Sequence, residues 1–522
     1  MSGKNSDLGS KVEMIREKVE AKAEEERLKF SPKTTWEVIS SKSIFEALNS
    51  NEDGDAWLFI KLFKERLCFD HAANRWFEWQ GHHWGEDLIG QATASLDEVV
   101  ELYGNEAHRQ SWLRLKAQKE NNKAAAEKHK ELEENLMKRI SQIQTAHRKK
   151  NILALASSGK NSLGIAGKEW DRKPWLLACV NGTVNLKTGQ IRDGNPQDYI
   201  KTASPTPWTG INEPAPCWDN FLHVIFDGNE DLVNYMQRLL GYSITGLNTE
   251  HVLPILWGRG RNGKGTLLEV LRHVLGPLAG PIQSEMLVEQ GRMRSSAGPS
   301  SDIMSLFGRR LAWASETDEG RKLNISKVKW LVGGDTLVGR YPYGKNEIHF
   351  IPTHTLFLLT NHKPHVPSDD YALWERIHLV PFSFSFVDNP TETNERLRDP
   401  ELAQKLKAEA AGILAWLVRG CLKWQQHGLR PPKAVRQATA QYRSDEDLTG
   451  QFLDEWCIIM PNASVKAGNL YEAFSKWCKN NGFSPISGYK FSKRMQDRFD
   501  RDDSGRHRIY KGVCLRDESL LQ

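Results

Sequence analysis

Residues Leu253–Thr266 read LPILWGRGRNGKGT, and the fold turns on this stretch. An apolar run ends in a glycine-rich turn, and the pattern LLEVLRHVL begins directly after Thr266. Apolar run, turn and helical periodicity read as strand, loop and helix. Gly258, Gly260 and Gly263 let the backbone curl tightly, so that successive N–H groups can point at one anion. Lys264 can then reach the β/γ-phosphates of a nucleotide, and the N-terminus of the following helix adds a favourable dipole. The spacing from Gly258 to Gly263-Lys264 fits the phosphate-loop pattern, except that Gly265 stands where Ser or Thr is usual and Thr266 follows one position later. The predicted nucleotide-binding residues are Gly258, Gly260, Asn262, Gly263, Lys264, Gly265 and Thr266.

Two more strands follow. RRLAWASET (Arg309–Thr317) is apolar and ends in Glu316; HTLFLLTN (His354–Asn361) is apolar and ends in Asn361. Parallel strands buried on both faces read as continuous apolar runs of this kind. Three such strands place Lys264, Glu316 and Asn361 along one edge, where open α/β sheets bind ligands. Glu316 could hold Mg²⁺ or orient the attacking water; taken alone, it reads more simply as a solvated strand end. Asn361 reads equally as a positioner of the hydrolytic water and as a turn residue before His362-Lys363-Pro364.

The stretches GRGRNGKGT, RRLAWASET, KWLVGGDTLVGRYPYGKNEIHF, LFLLTNHKP and ALWERIHLVPF, in this order and spacing, resemble the superfamily 3 helicase module. More closely, they resemble the helicase part of phage and plasmid primase-helicases, which is shared with poxvirus replication proteins. Leu177–Ile200 is similar to the segment that precedes the ATPase in that family. Trp76–Asp87, WFEWQGHHWGED, is similar to a Trp-Gly-Trp element further upstream. Residues after Gln451 resemble a C-terminal winged-helix module. The likeness runs from about Ser43 onward.

The resemblance implies a multidomain α/β protein with an AAA+-like core, a helical N-terminal region and a C-terminal winged helix. It implies ATP and Mg²⁺ as cofactors, single-stranded DNA as partner and a homo-oligomer, expected to be a hexamer. Lys264 becomes the phosphate-loop lysine and Glu316 the acid of the second ATPase motif. Lys329 and the Gly333-Gly334-Asp335 turn fall in the motif characteristic of the superfamily. Tyr343-Gly344-Lys345-Asn346 becomes the tip of a DNA-gripping hairpin, Asn361 the polar sensor, and Arg376 a group acting on a neighbouring subunit's nucleotide. Two positions depart from the family. Gly265 replaces a common Ser, so the Mg²⁺ ligands implied are Thr266 and Glu316. Glu375 replaces the first of a pair of arginines, leaving Arg376 as the sole candidate there.

The hairpin also has a reading of its own. Gly339–Phe350, GRYPYGKNEIHF, runs into a Gly-Lys-Asn turn that supplies left-handed dihedrals. Lys345 at the tip can meet phosphate and Tyr343 can stack on a base. An ordinary exposed hairpin would carry the same residues.

The chain has 522 residues, too many for one ordinary core. Its 71 basic and 66 acidic residues give a net charge of +5, which neither demands nor excludes nucleic acid. Seven scattered cysteines without a CxxC pair argue against zinc and for a reducing cytoplasm, of a bacterium or a virus-infected cell. No apolar run has membrane-spanning length, so no membrane partner is expected.

The expected organisation is a charged arm at 1–35, an N-terminal region at 36–205, a helical linker or collar at 206–250, the ATPase domain at 251–430 and the winged helix at 445–522. Trp57, Trp76, Trp79 and Trp84, interleaved with Arg75, His82 and His83, read as domain packing ahead of base stacking. Ser95 to about Ala156 reads as helix, with Leu132, Leu136, Ile140 and Ile143 as one apolar stripe. It fits both an intramolecular helical hairpin and a subunit contact. Pro205–Pro216 reads as a linker. In the last module Lys490, Lys493, Arg494, Arg506 and Arg508 could meet DNA phosphates; a protein-docking role is equally open. Glu52, Asp53 and Asp55 read as a lone acidic turn, with too little chain around it for a polymerase-like domain. A separate primase or polymerase is therefore an expected partner. The expected activity is that of a ring-forming, ATP-driven replication helicase. Two other readings are an origin-binding initiator and a nucleotide-gated defence or interaction ATPase.

Overall fold

The computed structural model describes residues 39–290, 300–315, 320–342 and 347–516. The chain divides into two compact units, one formed by residues up to Phe69 together with Asp87–Gly164, the other by Asp70–Glu86 together with Ile165–Gln522.

The first unit is mainly helical. It contains α1 (Ser41–Asn49), α2 (Asn51–Phe63), α3 (Leu96–Lys119), α4 (Lys123–Ile143) and α5 (Ala146–Ala156). The helical stretch from Ser95 to Ala156 is thus three helices. The chain breaks at Asn121, with φ of 55°, and short polar side chains start the next helices. Asn122 accepts from the Ala125 N–H and Thr145 from the Arg148 N–H, each a helix cap. Leu136 and Ile143 of the predicted stripe are fully buried. The acidic turn expected at Glu52–Asp55 is instead the start of α2, and Asp55 is wholly buried. Its carboxylate accepts from Arg139 Nη1 at 2.9 Å, Arg148 Nη2 at 2.6 Å and the Tyr103 hydroxyl at 2.8 Å. A buried carboxylate is tolerable only when paired in this way.

The second unit is built on a five-stranded parallel sheet. Its strands are β1 (Leu253–Trp257), β2 (Ala279–Ile282), β3 (Leu311–Ser315), β4 (Thr355–Thr360) and β5 (Ile377–Pro381). The order across the sheet is β2-β3-β4-β1-β5. Alternate residues feed two cores. Leu256, Trp313, Phe357 and Val380 enter one, together with α6 (Pro216–Ile225), α7 (Glu230–Ser243), α8 (Lys264–Leu275) and α9 (Ala410–His427). Ile255, Ala314, Leu358 and Leu379 enter the other, with the helix Ile325–Val332 and Tyr442. Burial on both faces explains why these strands read as continuous apolar runs.

Helices α7 and α9 meet backbone to backbone. A Cβ on Gly241 would sit 2.1 Å from the Cys421 nitrogen, and one on Gly420 would sit 2.0 Å from the Gln237 carbonyl. The predicted linker Pro205–Pro216 is anchored at its start: Ser204 Oγ and Thr206 Oγ1 donate to the Val274 carbonyl at 2.6 and 2.8 Å, and Trp208 is buried.

Leu337–Gly339 and Ile348–Phe350 pair antiparallel as the flanks of the predicted hairpin. Its tip, including Tyr343 and Lys345, lies outside the described residues. The C-terminal module joins the helices Leu448–Trp456, Ala467–Asn480 and Gly488–Gln496 to a three-stranded antiparallel sheet. Phe452, Phe474, Trp477, Phe491 and Tyr510 form its core. The strand Cys457–Lys466 was not expected, because Pro461 and Asn462 interrupt its pattern; they fall where the pairing with Ile509–Leu515 shifts register, between Ile459 and Ser464. Among the described residues no helix is long and apolar enough to cross a membrane.

Candidate nucleotide site

The loop after β1 curls as its glycines require. Arg261 and Gly263 take positive φ, 60° and 85°, and Gly263 is the N-cap of α8 with no side-chain cap bond. A Cβ on Gly258 would lie 2.2 Å from the Phe382 carbonyl, so β5 and the loop touch directly. A Cβ on Gly263 would meet Ile225 Cγ2 at 3.0 Å, so α6 backs the loop. The N-terminus of α6 is in turn held by Glu409, whose carboxylate accepts from the Cys217 and Trp218 N–H groups at 3.0 Å each.

Lys264 is buried at 6% exposure. Its Nζ donates to the Gly258 carbonyl at 2.5 Å and to Asn361 Oδ1 at 3.2 Å. Strand order produces this meeting: β4 lies beside β1, with Thr360 opposite Trp257, so Asn361 emerges next to the loop. Asn262 Oδ1 faces the Lys264 N–H at 3.5 Å, while its Nδ2 is buried without a partner. An unpaired buried amide is costly unless a ligand supplies the acceptor. An uncapped helix start, a lysine and an unpaired N–H donor together suit a phosphate chain. Gly265 is exposed with nothing within 4 Å of its would-be Cβ, and Thr266 is half-buried in the first helical turn. Glu316 follows Ser315, the last residue of β3, and lies outside the described residues.

Arg376 is not brought to this cluster. Its carbonyl accepts from the Leu253 N–H at 2.7 Å, at the N-terminal edge of the sheet. The length of β5, about 16 Å at roughly 3.3 Å per residue, separates it from the loop. Its Nη1 donates to the Ala372 carbonyl, and its Nε is buried without a partner. Lys329 binds Asp370 at 2.7 and 2.9 Å. In the C-terminal module Lys490, Lys493, Arg506 and Arg508 are exposed. Arg494 differs: its side chain is 12% exposed and pairs with Asp369 at 2.9 Å.

Several residues that tie the sheet to its surroundings carry no sequence signal. Arg310 is buried at the start of β3 and donates to the carbonyls of Pro174, Ile244 and Leu176 at 2.8 to 2.9 Å. Burial lowers its pKa to about 10, opposed by Asp171. Burial also pushes His378 on β5 down to about 4; its Nδ1 meets the Tyr235 hydroxyl at 2.6 Å. These partners lie more than 60 residues apart in sequence.

Residues 56–227 match the family model described as D5 N terminal like. "Putative helicase L207/L206" of Acanthamoeba polyphaga mimivirus is 29% identical over 84% of this chain and 47% of its own length. The relatives found are proteins of large DNA viruses named as putative helicases or primases. Among relatives of this kind, "Putative helicase 022R" of Frog virus 3 is 26% identical over 60% of the chain and 39% of its own length. "Putative primase C962R" of African swine fever virus is 24% identical over 60% and 34%. The chain thus spans about half or less of the length of these curated relatives. The apo C-terminal region of NrS-1 is a solved structure similar over 88% of this chain and 99% of its own, at 13% identity and a TM-score of 0.43.

Proposed function

We propose that the chain is the motor of an ATP-driven DNA helicase for viral, phage or plasmid replication, working as a ring on single-stranded DNA. The observation that carries this is Lys264 Nζ, held between the Gly258 carbonyl and Asn361 Oδ1 at an uncapped helix start. In this reading the five-stranded sheet is an AAA+-like core and the C-terminal module a winged helix. ATP would enter with its phosphates on the 258–266 loop. Lys264 exchanges the Gly258 carbonyl and Asn361 Oδ1 for phosphate oxygens, and Asn262 Nδ2 gains its missing acceptor. Asn361, released by the lysine, is placed to orient the attacking water. Mg²⁺, held by Thr266 and Glu316, would neutralise phosphate charge. Arg376 lies a strand's length away at the opposite edge, which supports action on a neighbouring copy's nucleotide rather than on its own. A hexameric ring with 3′-to-5′ movement, driven by the Lys345 hairpin, completes the reading, with a separate primase or polymerase as partner.

The deciding experiment measures ATP hydrolysis with and without single-stranded DNA for the wild type, Lys264→Ala and Lys345→Ala. Turnover that needs Lys264 and loses only its DNA stimulation in Lys345→Ala supports the motor. Turnover that needs Lys264 but ignores DNA removes the helicase claim. The exposed Lys490, Lys493, Arg506 and Arg508 favour a second reading, an origin-binding initiator. A sequence-specific footprint with little unwinding would select it.

A further inference from the structure

The loop after β4 joins three places that matter if the proposed ATPase reading holds. It begins at Asn361, whose amide oxygen faces Lys264. It ends at Asp370, which binds Lys329 and accepts from the Leu373 N–H, capping the short helix Tyr371–Trp374 that leads to Arg376. Between these ends it is gripped by the helix Lys433–Asp445 and the residues that follow. Asp445 binds Lys363 at 3.0 Å, Glu446 meets His365 and the Val366 N–H at 3.2 Å each, and Arg443 Nε donates to the Ser368 carbonyl at 3.1 Å. The Tyr442 hydroxyl donates to the Pro364 carbonyl. The C-terminal module closes the grip: Arg494 binds Asp369, and Arg498 binds Asp447.

Asp369 and Asp370 are neighbours with opposite commitments. One is tied to the basic helix Gly488–Gln496, the other to Lys329 and the helix before Arg376. These contacts give a shift of Asn361 on nucleotide entry a pinned route to the C-terminal helix, ending in a charge-assisted bond.

We propose that Arg494 is a positioning residue: through Asp369 it fixes the loop that begins at Asn361 and ends at Asp370, the cap of the short helix before Arg376. It thereby couples nucleotide occupancy to the exposed basic face of the C-terminal module. Lys490 and Lys493 are exposed and can meet an anion, Lys493 while also facing the charge of Asp369, and Arg494 serves as the link. Coupling of this kind is reciprocal in binding free energy.

The test uses the full chain, a labelled polythymidine oligonucleotide and a non-hydrolysable β,γ-imido analogue of ATP. The ratio of oligonucleotide Kd without and with the analogue is the coupling factor. In the wild type it is expected to exceed about fivefold, the lower end of ordinary allosteric coupling. Arg494→Ala and Asp369→Ala should each bring it within about twofold of one. The exchanged pair Asp369→Arg with Arg494→Asp should restore it. A DNA-phosphate ligand would behave otherwise: Arg494→Ala would weaken both Kd values equally and the exchange would rescue nothing, which overturns the proposal. A wild-type factor of one overturns it as well. Hydrogen exchange on the unmutated chain gives an independent reading. Analogue-induced protection should reach residues 361–370 and 488–496; protection confined to 258–266 sinks the coupling. Turnover that survives Lys264→Ala would instead remove the ATPase reading itself, a distinct failure.

Discussion

Two buried charged sites in this molecule are built on opposite terms. Around Asp55 every partner is present: two guanidinium groups and a tyrosine hydroxyl complete one carboxylate. Beside Lys264, one buried donor lacks its acceptor. Asn262 Nδ2 is orphaned, the start of α8 is uncapped, and the lysine leans on one carbonyl and one amide oxygen. Both sites are polar and buried, yet only the second leaves bonds for a ligand to make. Burial of charge alone therefore says little about function; the unmet bond is the more telling sign.

The sharpest break of this comparison is Asp55→Ala. It leaves Arg139 and Arg148 facing each other without their carboxylate and should cost the helical unit about 3–5 kcal/mol. Chemical denaturation followed by helical signal checks it; a loss under about 1 kcal/mol would mean that the cluster is not structural. Lys264→Ala should do the reverse. Turnover should fall about 100- to 1000-fold, as for loss of one transition-state charge contact, while the melting temperature barely moves. A large drop in melting temperature would place Lys264 with Asp55 among structural charges.

Acid should reach the sheet by a third route. Burial holds His354 and His378 near pKa 4, below the ordinary 6.5. Because their folded pKa values are depressed, the unfolded chain binds more protons between about pH 6.5 and 4, and stability falls as pH drops through that window. Thermal melts at pH 7 and pH 5 should show a decline of a few kcal/mol or less, reduced in His354→Leu; equal declines in both proteins would exonerate the histidine. Gly265→Ser should have the smallest effect. Its side chain meets open space, so stability should change by less than about 0.5 kcal/mol. If the first-turn hydroxyl is what Mg²⁺ lacks here, half-maximal turnover should need less Mg²⁺; an unchanged Mg²⁺ requirement would assign that role to Thr266 alone.

What could be read from the sequence was local. The run from Leu253 to Thr266, the apolar strand ending at Thr360 and the hairpin flanks each announce themselves through spacing within a few residues. The C-terminal module was read as a resemblance, and the aromatic residues of its helices form a packed core. The order of strands was not legible, since nothing in β4 says that it inserts between β1 and β3. Arg310 reads as an ordinary strand-start cation until carbonyls from 66 to 136 residues away close around it. Glu409 reads as a helix surface acid, although it caps a helix 191 residues earlier. Arg494 was grouped with the exposed basic residues of its helix, and only its ion pair with Asp369 separates it from them. In each case the deciding partner lies beyond any local pattern.

The contact between α7 and α9 bears on how a mutational scan of this protein should be read. Gly241 and Gly420 have no room for even one carbon, and a Cβ on Gly412 would sit 1.9 Å from the Pro214 carbonyl. A screen scored only by loss of function would rank these three positions alongside Gly258 and Gly263. Sorting such hits needs a second score, the amount of folded protein in the cell. The helix glycines should fail both scores and Lys264 only the first.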